Sequence, residues 1–369
     1  MCFANARAQL SFITNNGAIT ITGYSGTAGA VVIPALIDGI IVNAVAASAF
    51  QNNSTITEAA IPETVTSIGI AAFASCTALT AINVDPQNTA YQSINGALWN
   101  RAGDVLIQCP AGIRGTWIGP AGFTIVGTKA FSFCVGLTNI VLPDSVTSIG
   151  ENAFANCSGL ANFTIPAGVT SIGYATFSSC SRLGSVTIPN SVTNIGDYAF
   201  TFCGLTNLSL PEGLQSIGNV SFAYCSKLVR VSIPRSLTNI GIYAFSSCSA
   251  LRELYFAGNC PSIGADAFSN ASQATVFFGP GSTGWDAFTA RPAALWNAQF
   301  VGDSLSFDAG QRFSLTIRGN SGLPFVLEFS SSLQSPSWRA LDANTLSGDL
   351  RFTDTNLPGA TGFYRLRSP

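Results

Sequence analysis

Residues 137–159 read LTNIVLPDSVTSIGENAFANCSG, and this 23-residue unit decides the fold. A phenylalanine with a cysteine three residues later returns at almost this interval through most of the chain. The clearest copies are Phe131 with Cys134, Phe154 with Cys157, Phe177 with Cys180, Phe200 with Cys203, Phe222 with Cys225, and Phe245 with Cys248. A fixed period of this length indicates a solenoid, in which each coil buries its apolar face only against its neighbours.

The order of residues within the unit predicts the path of one coil. The segment LTNIVL alternates apolar and polar residues and predicts a short strand, which Pro143 ends because proline has no N–H for a ladder. A second extended piece at residues 146–149 stops at Gly150, where we expect a tight turn with positive φ. Residues 151–157 are then expected to form one to two helical turns, with Ala153 and Phe154 directed inward.

The repeated unit, with VTSIG before the Ala-Phe pair and Cys-Ser after it, resembles the BspA-type leucine-rich repeat of bacterial surface proteins over about residues 18–285. The asparagine of better-known leucine-rich repeats is replaced here, for example by Ser145 and Gly168. The resemblance implies a right-handed curved solenoid with parallel strands on its concave side. It also implies a role in adhesion or ligand binding, and no enzymatic activity.

Changes along the chain predict five segments. The motifs ANA and ARA near the N-terminus match the small-x-small pattern of an export-signal cleavage site, although an ordinary terminus is the alternative. Asn95-Gly96 signals a hairpin where the repeat is interrupted, and the last 69 residues carry more charge and alternating apolar runs. The segments are an export-signal remnant at 1–9, capping strands at 10–44, a solenoid at 45–285 with a β excursion at about 83–118, a junction at 286–300 and a small β-sandwich at 301–369.

Composition argues against several classes of protein. The net charge is −2 with two lysines, so the chain lacks the basic stripe that a nucleic-acid-binding protein needs. Histidine is absent, which removes the commonest general base and metal ligand, and we predict no cofactor or metal. Hydrophobic residues make up 47% of the chain, yet no run of about 18 of them predicts a membrane span.

Seven cysteines occupy one position of the repeat. They are Cys76, Cys134, Cys157, Cys180, Cys203, Cys225 and Cys248. In a solenoid they would form a ladder at about the 4.8 Å strand spacing, with side chains that point the same way and not at each other. We therefore expect unpaired core thiols, and the alternatives are some disulfides or a metal. The phenylalanines of the same unit are expected in the core.

Candidate ligand-binding residues lie at the exposed positions of the predicted strands. Most of these positions hold short polar residues, and the last coils add Arg230, Arg252 and Tyr255, a combination typical of binding hot spots. Asn139, Asn162 and Asn207 occupy one such position in earlier coils. The alternative is that a solvated sheet simply favours polar residues. For catalysis, Asp85 and Asp104 are the only carboxylate pair that we single out.

These observations favour a secreted or cell-surface, non-enzymatic protein that presents a polar repeat surface to a protein or glycan. The first alternative is a polysaccharide-degrading enzyme or its accessory carbohydrate-binding protein. Exposed aromatic residues among Phe325, Trp338, Phe363 and Tyr364 would support that alternative. A second alternative is a structural envelope component whose surface has no specific ligand.

Overall fold

The structure is a computed structural model that describes residues 9–27, 29–296, 298–301, 306–307, 313–319, 324–331, 337–346, 349–354 and 363–367. The predicted export-signal remnant, apart from Gln9, lies outside these residues. The chain divides into two compact units. The first comprises the residues up to Val229 together with Ser236–Leu251 and Ser262–Gln273, and the second comprises Arg230–Arg235, Arg252–Pro261 and the residues from Ala274 onward.

Strands account for almost all of the regular structure. The N-terminal strands are β1 (Leu10–Asn15), β2 (Ala18–Tyr24), β3 (Ala30–Val32), β4 (Leu36–Ile37), β5 (Ile40–Val45), β6 (Glu58–Ile61), β7 (Ser67–Ile68) and β8 (Ala81–Val84). The excursion contributes β9 (Tyr91–Ile94), β10 (Ala97–Asn100), β11 (Val105–Gln108) and β12 (Gly115–Ile118). The following coils form β13 (Ile125–Val126), β14 (Leu137–Val141), β15 (Ser148–Ile149), β16 (Asn162–Thr164), β17 (Ser171–Ile172), β18 (Ser185–Thr187), β19 (Asn194–Ile195), β20 (Asn207–Ser209), β21 (Ser216–Ile217), β22 (Arg230–Ile233), β23 (Asn239–Ile240), β24 (Glu253–Phe256), β25 (Ser262–Ile263) and β26 (Thr275–Phe278).

The C-terminal part begins with a 3-10 helix at Trp285–Ala287. Its strands are β27 (Ala293–Leu295), β28 (Gln299–Phe300), β29 (Ser306–Phe307), β30 (Phe313–Arg318), β31 (Pro324–Ser330), β32 (Arg339–Thr345), β33 (Leu350–Asp354) and β34 (Phe363–Arg367). Within the described ranges, the chain contains no helix long and apolar enough to cross a membrane.

Parallel pairing between successive coils gives the predicted solenoid. In the first unit, β17, β19, β21, β23 and β25 form one parallel sheet, and Ile172 lies opposite Ile195 in its register. Strands β16 and β18 pair in parallel, as do β12 and β14. In the second unit β22, β24, β26 and β27 follow one another in parallel. The excursion is antiparallel from β9 to β11, and β11 returns to the solenoid by parallel pairing with β13.

The core contains two ladders that run from coil to coil. The ring of Phe177 is 0% exposed and stacks on Phe154 and Phe200, each at 5.1 Å between ring centroids. The same stacking links Phe131 to Phe154, Phe200 to Phe222 and Phe222 to Phe245 at 5.1–5.2 Å. Beside the rings, the Cys180 thiol donates a hydrogen bond to the carbonyl of Phe154 at 3.2 Å. Cys157, Cys203, Cys225 and Cys248 donate in the same way at 3.1 Å.

The predicted helical turn in each coil is wrong. Residues 151–156 form tight turns instead, in which Ala153 N–H and Cys157 N–H each bond a carbonyl three residues earlier. The N–H of Phe154 donates to the next coil, at the carbonyl of Thr176, at 2.9 Å. Asn152 and Asn156 adopt left-handed φ values of 54° and 61°. Two left-handed residues four positions apart are incompatible with a right-handed helix through this segment.

The positive φ predicted for the glycine that ends the second extended piece of each repeat also needs correction. Gly150 does not have a positive φ; it is required because the coils approach closely. A Cβ at Gly150 would lie 2.5 Å from the backbone nitrogen of Thr128, and one at Gly241 would lie 2.5 Å from the carbonyl carbon of Gly218. A side chain at these positions would therefore push neighbouring coils apart.

The C-terminal strands form two antiparallel sheets within the second unit. One contains β28, β29, β30 and β33, and the other contains β31, β32 and β34. Their buried residues share one apolar cluster, with Leu315 and Ile317 from the first sheet and Phe325 and Leu327 from the second. This arrangement is compatible with the predicted β-sandwich and supports it only loosely.

Candidate functional site

The most unusual surface of the first unit is a group of exposed aromatic side chains on the turns of successive coils. We call it the outer aromatic cluster, and its members are Tyr174, Tyr198, Phe202, Tyr224 and Tyr243. Their exposed fractions lie between 39% and 52%. Phe202 stacks on Tyr224 at 4.5 Å, with 7° between the ring planes, and Tyr174 lies 5.5 Å from Tyr198. The members thus form two ring pairs, and Tyr243 joins neither pair among the ring contacts described.

The backbone beneath this cluster is strained. Tyr198, Phe202, Tyr224 and Tyr243 have φ values of 57–60°, in the left-handed region. A bulky residue is an outlier there, and the conformation costs about 1–2 kcal/mol for residues other than glycine and, to a lesser degree, asparagine. The same slots hold asparagine in other coils, as at Asn156. The corresponding positions are left-handed in the other coils too, for example at Ala175, Val220 and Ser247, so this conformation belongs to the repeated turn and not to the aromatic residues in particular.

Sequence reasoning missed the outer aromatic cluster because it followed the buried residues of each repeat. The sequence did contain an indication of this cluster. The residue types at the positions two before and two after each core phenylalanine differ from coil to coil, unlike the core positions. Around Phe200 they hold Tyr198 and Phe202, and around Phe154 they hold Asn152 and Asn156. An aromatic residue at a turn position that elsewhere takes asparagine indicates exposure.

The structure leaves the predicted asparagines on the surface. Asn139, Asn162 and Asn207 are all exposed, at the same repeat position of β14, β16 and β20. The Ser185 hydroxyl donates to the side-chain oxygen of Asn162 at 2.6 Å. This hydrogen bond links the polar side chains of β16 and β18 on the exposed face.

The predicted group of Arg230, Arg252 and Tyr255 is not a free surface. Arg230 forms an ion pair with Glu253, with 2.6 Å between Nε and Oε2, while Arg252 remains exposed. Tyr255 is 3% exposed, so its predicted place on the solvent side is wrong. Its ring stacks on Phe277 at 5.1 Å and packs in the cluster that contains Phe325 from β31.

The reason is that C-terminal strands of the second unit cover the outward face of β24 and β26. The Tyr255 hydroxyl is buried and has no hydrogen-bond partner among the described residues. Burial raises the pKa of Tyr255, and the negative charge of Glu253 raises the pKa further. This tyrosine therefore serves the packing of the unit, and a ligand would have to displace β31 to reach it.

The two carboxylates and the C-terminal aromatic residues that would support an enzyme or a carbohydrate-binding protein mostly make contacts within the fold. Asp85 accepts a hydrogen bond from the Gln87 backbone at 2.8 Å, and Asp104 accepts one from the Asn100 amide at 2.6 Å. Among the C-terminal aromatic residues, Phe325 is buried, whereas Phe363 is 37% exposed. Trp338 lies under the guanidinium of Arg365 at 4.2 Å, and the Tyr364 hydroxyl bonds Asp354 at 3.0 Å. Phe363 is the one exposed residue of these four, and Trp338 and Tyr364 are half-buried.

The nine described cysteines are free, and eight of them are buried. Burial raises the pKa of Cys225 to about 12 and that of Cys76 to about 11. Thiols of this kind are poor nucleophiles because the thiolate is the reactive form. The described residues include no group of three or more cysteine or acidic side chains placed to hold a metal ion.

Comparison with known proteins agrees with the repeat architecture. The profile of the BspA type leucine-rich repeat region matches six copies, over residues 41–97, 117–203 and 172–284. A leucine-rich repeat protein from Eubacterium ventriosum is 19% identical, with 72% of this chain and 94% of that chain covered and a TM-score of 0.52. One from Bacteroides ovatus is 20% identical, with 78% and 98% covered and a TM-score of 0.41. A search of curated protein sequences finds no significant match.

Proposed function

Because the chain belongs to the BspA-type leucine-rich repeat family, we propose that it is a secreted or cell-surface protein that binds a protein or a glycan without catalysing a reaction. The outer aromatic cluster is the observation that carries this proposal. Clustered, exposed aromatic side chains are rare on monomeric surfaces and mark interaction sites. Aromatic rings are also the commonest anchors of binding hot spots.

The cluster suits a ligand that has both apolar and polar groups. Its members carry phenol hydroxyls and ring edges, and the neighbouring turn positions hold uncharged residues such as Ser179 and Ser247 together with the carboxylates of Asp197 and Asp266. Ring faces and hydroxyl groups together contact both apolar and hydrogen-bonding parts of a partner. The exposed asparagines at positions 139, 162 and 207, on strands of the first unit, are a second proposed contact, separate from the cluster. Arg252 is a separate proposed contact of the second unit, and the C-terminal sheets are proposed to form a β-sandwich.

The test is a binding screen of the purified full chain against arrays of glycans and of matrix and surface proteins. Tyr224→Asn should weaken binding to any ligand found by about tenfold, because loss of one aromatic anchor costs more than about 1 kcal/mol. Asparagine occupies the same slot in other coils, so the variant should keep its fold.

Phe133→Asn is the matched control, since Phe133 occupies the same slot with φ 62° in an earlier coil, outside the cluster. It should bind as the unaltered chain does. The absence of any ligand on both arrays, or equal losses in the two variants, would refute the proposal and favour a purely structural role.

A further inference from the structure

The first unit contains a groove of about 660 Å³ near its N-terminal end, where the segment Pro34–Ile37 meets the outer face of β3, β6 and β8. The floor consists of three residues in register across these strands: Val32 lies opposite Ala60, and Ala60 lies opposite Asn83. The small side chain of Ala60 at the centre makes the floor concave. This volume is within the range of about 300–1,000 Å³ that is usual for ligand sites.

The walls of the groove are mainly apolar. Leu36 is 57% exposed and Val32 is 40% exposed, and Pro34 and Pro62 also line the space. Aliphatic side chains left open in a concave site favour a ligand with apolar parts of its own.

The charged residues of the groove all have one sign. Glu63 and Asp85 line it, and they are its only charged lining residues. Residues 9–100 contain four acidic residues (Asp38, Glu58, Glu63 and Asp85) and no lysine or arginine. The groove therefore has two carboxylates and no basic residue in its lining, and the nearest guanidinium, that of Arg101, donates a hydrogen bond to the carbonyl of Pro86, next to Asp85, at 3.4 Å. Such a site attracts a cation and repels an anion.

We propose that this groove binds an extended peptide segment that places a lysine or arginine beside Glu63 and Asp85 and an aliphatic side chain over Ala60. Lysine and arginine combine an apolar stem with a charged head, which matches an apolar floor with an acidic rim. The site is separate from the outer aromatic cluster and does not depend on the function proposed for that cluster.

The test uses the full chain and pools of acetylated pentapeptides, with valine, leucine or threonine at the outer positions and one fixed central residue. Pools fixed as arginine, lysine, citrulline or glutamate are compared by fluorescence anisotropy. The arginine and lysine pools should bind at least about tenfold more tightly than the citrulline and glutamate pools. Their advantage should shrink when the salt concentration is raised from about 0.05 M to about 0.5 M, because salt screens exposed charges.

Three variants locate the site. The double variant Glu63→Gln with Asp85→Asn should lower arginine-pool affinity to that of the citrulline pool, and both changes keep the shape of the side chains. Ala60→Phe should fill the floor and weaken every pool, with an unchanged thermal midpoint as the check on its fold. Glu58→Gln is the matched control, because Glu58 belongs to the same sheet but does not line the groove.

Several outcomes would overturn the proposal. These are equal binding of the arginine and citrulline pools, an effect of Glu58→Gln as large as that of the double variant, or binding of free spermidine without binding of any peptide pool. Tyr224→Asn should leave peptide binding unchanged, so failure at the groove and failure at the outer aromatic cluster are distinguishable.

Discussion

Phe200→Ala removes one ring from the middle of the core ladder and should destabilise the first unit strongly. Phe200 is 0% exposed and lies between Phe177 at 5.1 Å and Phe222 at 5.2 Å, with its ring nearly parallel to both. Truncation of a buried phenylalanine costs about 3–5 kcal/mol of unfolding free energy. We expect the upper half of that range, because two stacked contacts, each worth about 0.5–1.5 kcal/mol beyond burial, disappear together.

Phe202→Ala is the matched control, with the same deletion two residues away on the solvent side. Phe202 is 52% exposed and stacks only on Tyr224 among the ring contacts described, so we expect a loss of about 1 kcal/mol. Urea unfolding followed by far-UV circular dichroism compares the two variants through their midpoints and slopes. A cost below about 2 kcal/mol for Phe200→Ala, or equal costs for both variants, would refute the account of an inner and an outer set of rings.

Three further predictions concern single side chains. In the unfolded chain the Cys225 thiol ionises above its ordinary pKa of 9.0, whereas the folded chain keeps it neutral to about 12. Stability should therefore fall as pH rises through this window, and less steeply in Cys225→Ala, as measured by urea unfolding at several pH values. Tyr255→Phe removes a buried hydroxyl without a partner and should leave the melting temperature equal or higher; a clear fall would show that the hydroxyl is hydrogen-bonded, with Glu253 as the nearby acceptor. A thiol reagent at pH 8 should label Cys260, which is partly exposed, and should spare the eight buried described cysteines until the chain is unfolded.

The period of the sequence was sufficient to predict the solenoid, whereas the residues of the repeated unit carried the resemblance to the family, which implied the parallel strands. The phenylalanine and cysteine of the repeat recur because each ring stacks on the ring of the next coil and each thiol bonds a carbonyl of the preceding coil. Phe154 stacks on Phe177 in this way, and the Cys157 thiol donates to the carbonyl of Phe131. The turn between them was not predictable from local composition. The alanine and phenylalanine around position 154 fit a helix equally well, and only the left-handed φ of Asn152 and Asn156 decides otherwise.

The candidate site was harder to predict because it depends on what covers each face. Alternation places Tyr255 on the outward side of β24, as it places Asn162 on that of β16. Only tertiary packing shows that Tyr255 is covered by residues such as Phe325, about 70 positions later in the chain. The exposed rings of Tyr198 and Tyr224 lie in turns, where the period-two pattern of strands gives no guidance.

Nitration of tyrosine by tetranitromethane, mapped by peptide mass spectrometry on the native chain, tests the central claim most directly. That claim is that the coils direct one set of aromatic rings inward and hold a second set outward on left-handed turns. The account predicts rapid modification of Tyr174, Tyr198, Tyr224 and Tyr243, which are 39–48% exposed, and none of Tyr255 at 3%. Protection of these four tyrosines, or modification of Tyr255 at the rate of Tyr224, would contradict it.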